Sequence, residues 1–205
     1  MIEAVLWDFG GVISTSPFDA FARYEATHGL PAGFLRSLNA TNPHDNAWAR
    51  LERSEVTVEQ FAPVFEAEAR AAGGTIDALA VLAGLRGEIR PEMVEAVRRC
   101  HQRLKTALLT NNFTVADRQA DHGEALEHFD LVVESSKVGV RKPDPRFYTS
   151  ACEQLGVEPS ACVFLDDLGI NLKPARELGM RTIKVVDPAA ALGELEEVVG
   201  FAVRG

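Results

Sequence analysis

The chain has 205 residues, 46% of them hydrophobic and 25% charged, the composition of a packed globular protein with room for one ordinary domain or one carrying a sizeable insert. Its formal charge is −9, with Asp and Glu scattered along the chain; such a surface repels a polyanion, so no nucleic acid partner is expected. No apolar run approaches the length of a membrane span, and the first strand begins at residue 2 with no room for a signal peptide, so a soluble, cytoplasmic protein with no membrane partner is expected.

In chain order, residues 2–7 form an apolar run that stops at Asp8 and is followed by Phe9-Gly10-Gly11, whose paired glycines permit tight backbone near a ligand. Ser16-Pro17 is a helix start, a capping residue followed by proline at the first helical position. From residue 18 to about 87 the apolar spacing is helical. Helices are predicted over 18–29, 34–38, 48–51, 57–72 and 76–85, with Gly29 and Gly73-Gly74 as stops. An all-helical stretch inside a strand–helix alternation reads as an insert rather than a crossover. Lying directly after the first acidic strand, it is a candidate lid.

The alternation then resumes. A helix is predicted over 91–103, a strand over 105–110 ending in Thr110-Asn111-Asn112, a helix from 115 to about 126 and a strand over 129–134. A polar loop spans 135–145, and Asp144-Pro145 starts a helix to about 155. An apolar run from Cys162 ends at Asp166-Asp167; a helix over 172–178, a strand over 181–186 and a helix over 188–199 follow. This pattern implies an α/β fold with a parallel sheet covered on both faces. The domain boundaries it suggests are 1–15 with 88–205 for the core and 16–87 for the helical cap. The cysteines Cys100, Cys152 and Cys162 are odd in number and lack metal-ligand spacing; Cys162 reads as a small core residue.

Ligands of open α/β sheets sit outside the carboxyl ends of the strands, so Asp8 and Asp166-Asp167 define one expected site. A single Asp after a strand is ordinarily a cap, but two abutting at an apolar strand end repel each other unless a cation lies near. Carboxylates from separate strands meeting at one edge favour a hard, oxygen-seeking cation, Mg²⁺ above all. Asp8 can also act as a nucleophile. Thr110, Asn111 and Asn112 offer a hydroxyl, side-chain amides and backbone N–H groups suited to a phosphoryl oxygen. Lys142, stiffened by Pro143, can neutralise both a transferring group and Asp8.

Taken in order, Asp8-Phe9-Gly10-Gly11-Val12, Leu109-Thr110-Asn111-Asn112, Gly139-Val140-Arg141-Lys142-Pro143 and Phe164-Leu165-Asp166-Asp167 with Asn171 resemble the four motifs of the haloacid dehalogenase (HAD) superfamily. The stretch 163–180 is similar, more narrowly, to the phosphatase domain of soluble epoxide hydrolases and to phosphatase-like domains fused to some acyl-CoA dehydrogenases. The resemblance implies a Rossmann-like core with a C1-type helical cap inserted after the first strand. It implies Asp8 as the nucleophile of an aspartyl-phosphate mechanism and Mg²⁺ held by Asp8, the Gly10 carbonyl and Asp167. Asp166 and Asn171 are supporting groups, Gly10, Gly11, Thr110, Asn111 and Asn112 line the phosphate site, and Lys142 is the fixed cation.

One departure stands out. Phosphatases of the superfamily usually carry a second Asp, as general acid and base, where this chain has Gly10. The substitute candidates in the insert are His28 and His44, for each of which an ordinary surface histidine is the default. Dehalogenases carry a bulky polar residue at that position, which argues against carbon–halogen cleavage. The leading expectation is a phosphatase of a small phosphomonoester, and the alternative is a phosphate- or metal-binding regulatory module with little turnover. Phe18, Tyr24, Trp48 and Phe61 read as cap core rather than pocket lining. The apolar faces of the cap and terminal helix allow a monomer or a homodimer.

Overall fold

A computed structural model describes residues 1–85, 87–113 and 123–205. Among these, five strands form one parallel sheet: β1 (Ala4–Trp7), β2 (Lys105–Thr110), β3 (Leu131–Glu134), β4 (Cys162–Asp166) and β5 (Arg181–Lys184), in the order β3-β2-β1-β4-β5. Successive connections run outward from β1 in one direction and then, with β4, in the other. The order therefore reverses between β1 and β4, the place where a crevice opens at the carboxyl edge of such sheets.

Alternate residues of the central strands serve opposite faces, as the twofold strand period requires. Val5, Trp7, Leu108, Val163, Leu165 and Ile183 pack on one side against α6 (Pro91–His101) and α11 (Pro188–Val199). Ala4, Leu6, Ala107, Leu109, Cys162 and Phe164 pack on the other against α9 (Pro145–Leu155) and α10 (Gly169–Glu177). The N-termini of these helices are defined locally: Asp144 and Asp187 each cap a helix whose first residue is proline, which loses no intrahelical bond at that position.

Between β1 and α6 lie five helices: α1 (Pro17–His28), α2 (Phe34–Ala40), α3 (Ala47–Glu52), α4 (Val58–Ala71) and α5 (Ala78–Ala83). Ser16 caps α1, and Thr57 forms a reciprocal capping box with Gln60 at α4. The five helices close around an apolar cluster of their own, centred on Trp48, whose ring meets Phe21, Phe61 and Phe65 edge-on at 5.5–5.7 Å between centroids. Trp48 and Phe61 are buried there, as expected, while Phe18 and Tyr24 are only partly buried against it. The chain leaves the sheet and returns to it side by side. Thr15 N–H donates to the Glu88 carbonyl at 2.9 Å, and Arg90 N–H donates to the Ile13 carbonyl at 2.9 Å.

The element boundaries differ from the sequence expectation at several elements. β1 and β3 each start two residues later and β5 ends two residues earlier than the apolar runs suggest, the paired registers covering Ala4–Trp7, Leu131–Glu134 and Arg181–Lys184. The 135–145 loop contains one helical turn, α8 (Ser135–Val138), closed by Gly139 in the left-handed region. α10 begins at Gly169, immediately after the acidic pair, rather than at 172. Of the helix expected from 115, the turn α7 (Gly123–Leu126) is seen, and 114–122 lie outside the described residues. All three cysteines are free and buried.

Candidate active site

The site grows out of the β1–β4 pairing. Trp7 is in register with Leu165, and Asp8 N–H donates to the Leu165 carbonyl at 2.9 Å, extending the ladder to the first carboxylate. Asp8 and Asp166 thus emerge side by side from adjacent strands. Lys142, 1% exposed, reaches between them: its Nζ lies 2.7 Å from Asp8 Oδ1 and 2.8 Å from Asp166 Oδ2. A single carboxylate would balance the charge of the buried ammonium; here it meets two, which hold it from both sides and leave a net negative charge.

Asp166, fully buried, also accepts from Leu168 N–H at 2.8 Å and from Asn171 Nδ2, at 3.1 Å to one oxygen and 3.0 Å to the other. Its lone pairs are spent on the protein, which makes it a brace for Lys142. Asn171 is fixed in turn through the Tyr148 hydroxyl, which donates to its carbonyl at 2.7 Å. Burial pushes Asp8 well above the usual carboxylate range, opposed chiefly by Lys142; the charge of Asp166 and Asp8 raises Lys142 against the effect of its own burial.

Asp167 faces different surroundings. It is half-buried, and burial, followed by the charge of Asp166, pushes it up to about 6, with the charge of Lys142 acting the other way. The backbone of Gly11, at φ +82°, passes so close that a Cβ there would collide with the Asp167 carboxylate. The oxygens of Asp8, Asp166 and Asp167 can come within 4.8 Å of one another. Two uncompensated carboxylates beside one already neutralised, at a mouth shaped by glycine, suit a divalent cation with oxygen ligands.

The remaining residues singled out from the sequence divide. Thr110 ends β2 at the same edge. The Asn111 side chain is fully engaged by the backbone of Lys142, donating to its carbonyl at 3.0 Å and accepting from its N–H at 2.8 Å. The Asn112 side chain is turned toward the end of β3, donating to Glu134 Oε1 at 2.7 Å and accepting from the Ser136 hydroxyl at 2.8 Å. Both side-chain amides therefore shape the loops instead of pointing at a ligand, and the sequence offered no signal of this. Gly10 lies against the rigid ring of Pro17, whose Cδ would be 3.3 Å from an added Cβ. His28 is exposed, stacked on Tyr24 and bonded to its carbonyl, and His44 is exposed beside Arg53, which donates to its carbonyl.

Two contributors were not anticipated. Arg90 donates to the carbonyls of Gly11 and Val12, at 2.7 and 3.3 Å, bracing the loop after Asp8. Arg141 pairs with the buried Glu52 of α3. Long-range partners of this kind have no local sequence signature.

The haloacid dehalogenase-like hydrolase family model matches residues 2–179. The chain belongs to this family. It is 34% identical over 205 residues to acyl-CoA dehydrogenase family member 10 of Mus musculus, with 97% of this chain and 19% of that protein covered. It is 34% identical to bifunctional epoxide hydrolase 2 of Sus scrofa, covering 97% of this chain and 39% of the relative. The chain thus spans a fifth to two-fifths of the length of these relatives. A relative of its own size, phosphatase MT3486 of Mycobacterium tuberculosis, is 32% identical with 90% and 87% covered. Among solved structures, a HAD-like hydrolase from Porphyromonas gingivalis superposes with TM-score 0.68 at 18% identity, covering 97% and 98%. A HAD family enzyme from Bacteroides thetaiotaomicron, in complex with magnesium and inorganic phosphate, superposes with TM-score 0.61 at 18% identity, covering 90% and 94%. Both share the fold of this hydrolase.

Proposed function

We propose that this hydrolase is a Mg²⁺-dependent phosphatase of small phosphomonoesters that uses Asp8 as its nucleophile. The observation that carries the reading is the buried Asp8–Lys142–Asp166 triad with Asp167 at its mouth. The phosphatase relative of similar length, and the magnesium and phosphate bound by a protein of the same fold, support it. Asp8, the Gly10 carbonyl and Asp167 are the groups that would hold the ion. When bound, Mg²⁺ supplies positive charge beside the phosphoryl oxygens and the entering carboxylate.

The chain's own residues account for the rest. Lys142 opposes the effect of burial on Asp8 and offers a fixed positive charge to the phosphoryl group. Thr110 and the backbone N–H of Asn111 would meet the phosphoryl oxygens, while the Asn111 side chain holds the Lys142 backbone. An Asp8 oxygen forms a bond to phosphorus as the ester P–O bond breaks, and the departing oxygen leaves as an anion that takes its proton from solvent water. Water then attacks the aspartyl-phosphate, regenerating Asp8 and releasing phosphate. Gly10 has no proton to give, so leaving groups that need none are the favoured substrates. In this reading residues 16–87 cap the core formed by 1–15 and 88–205. Cytoplasmic placement accords with the three free thiols.

Hydrolysis of an aryl phosphate with and without Mg²⁺ tests the reading. Turnover that requires Mg²⁺ and disappears in Asp8→Asn is the expected result; equal turnover in Asp8→Asn would overturn it. The Gly10–Pro17 contact favours one competing reading, a phosphate-binding module without turnover. That reading predicts phosphate binding with no hydrolysis in the wild type.

A further inference from the structure

Both loops that flank the phosphate-facing residues end on the same short helix of the insert. Phe113, two residues beyond Asn111, packs edge-on to Trp48 of α3 with centroids 6.1 Å apart. Arg141, the residue before Lys142, places its Nε 2.7 Å from Glu52 Oε2, one turn further along α3, and its Nη1 donates to the Pro43 carbonyl at 3.0 Å. Trp48 and Glu52 are themselves joined, the indole Nε1–H donating to Glu52 Oε1 at 2.9 Å. A second strut lies alongside, the Ser54 hydroxyl donating to the Ser136 carbonyl at 2.8 Å.

Glu52 is 8% exposed, and burial raises its carboxyl against the opposing charge of Arg141. Although the pair is close, the Arg141 Nε–H does not point along the line to Oε2, so the contact is mainly ionic. A buried ion pair contributes little net stability over an apolar pair, but it penalises arrangements that separate its members. That is the property of a registration device.

We propose that Glu52 is a positioning residue. Through Arg141 it sets the register of the Lys142 loop, so that the insert's placement and the placement of the fixed cation become one variable. The inference rests on the phosphatase reading for its catalytic consequence, though not for its structural one. On the core side, Lys142 is already gripped at both backbone groups by Asn111; Glu52–Arg141 supplies the grip from the insert. An error of about 1 Å in a charged group at the reacting centre can cost on the order of a hundredfold in rate.

The test is a cycle of Glu52→Gln, Arg141→Gln and the double variant, assayed with an aryl phosphate and Mg²⁺ well below the melting temperature, together with amide hydrogen exchange of each protein without ligand. Each single variant is expected to lose about tenfold or more in kcat with KM changed by less than threefold. The double variant should be no worse than the poorer single, since the two residues act as a unit. Exchange should rise in 139–146 and in 43–46 but not in β5 or α11. Arg141→Lys, which keeps the charge, should recover part of kcat. Losses that add in the double variant, or unchanged exchange at 139–146, would overturn the proposal. Should the wild type show no turnover, the phosphatase reading fails by itself, and the exchange result alone decides the latch.

Discussion

At the carboxyl edge of the sheet, one lysine and two aspartates are buried almost completely and hold one another through charge-assisted contacts of 2.7 and 2.8 Å. In the insert the centre is a tryptophan ringed by phenylalanines, with burial rather than charge as the cohesive force. The contrast separates two kinds of constraint. Buried charges tolerate few geometries, because any displacement leaves an uncompensated ion. Aromatic packing tolerates small rotations at modest cost. The sheet edge is thus held by paired charges and the helical insert by apolar packing.

The sharpest way to break that contrast is at Asp8. Asp8→Asn is nearly isosteric and still accepts from Lys142, so the fold should persist while aryl phosphate hydrolysis falls by at least about a thousandfold, as expected for loss of a nucleophile. Next in size is the insert. Phe65→Ala empties a fully buried site and should lower stability by roughly 3–5 kcal/mol, read as a fall in the denaturation midpoint.

Gly10→Asp sharpens the comparison at the boundary between the two regions. The new Cβ meets Pro17 at 3.3 Å, so some loss of melting temperature is expected. Hydrolysis of alkyl phosphates, whose leaving groups need a proton, should rise by about ten- to a hundredfold, with a smaller gain for aryl phosphates. Replacing Pro17 by Ala in the same chain should relieve the stability loss and keep the gain.

The smallest effect is a pH dependence. Asp167 titrates at about 6 in the folded chain against an ordinary value of 3.8. Between those values the native state binds more protons than the unfolded one, so its stability falls as pH rises from about 4 to about 6. Asp8, raised in the same direction, adds to this slope. Thermal melts in EDTA should show the decline, Asp167→Asn should flatten it, and Mg²⁺, which binds the ionised carboxylates, should offset it. A stability that rises through this interval without metal would show that the pair is not held as described.

Much of the edge was legible because strand ends are local. An apolar run of four to six residues broken by Asp, or by Thr-Asn, announces both a buried parallel strand and the group it presents. β2 and α11 coincide with their expected spans, and Asp8 and Asp166 stand where the runs stop. The insert's helices were legible for the same reason, through period and caps, although α5 is shorter than the apolar spacing suggests. The direction of the Asn112 side chain was not legible, because a side chain at a strand end can turn either toward a ligand or toward the next loop; here it bonds Glu134 and Ser136.

By itself the sequence determined the strand–helix alternation, the helical interruption after β1, and the order of acidic and basic residues along the edge. These follow from hydrophobic period, turn chemistry and capping, all of which act within a few residues. Only the tertiary structure decided that Lys142 is shared between Asp8 and Asp166, that Asn111 serves the backbone of Lys142, that Asp166 is fully buried while Asp167 keeps part of its exposure, and that Glu52 reaches Arg141 across 89 positions of chain. Those pairings depend on which strands become neighbours and how the insert settles on them, and sequence separation carries no information about either.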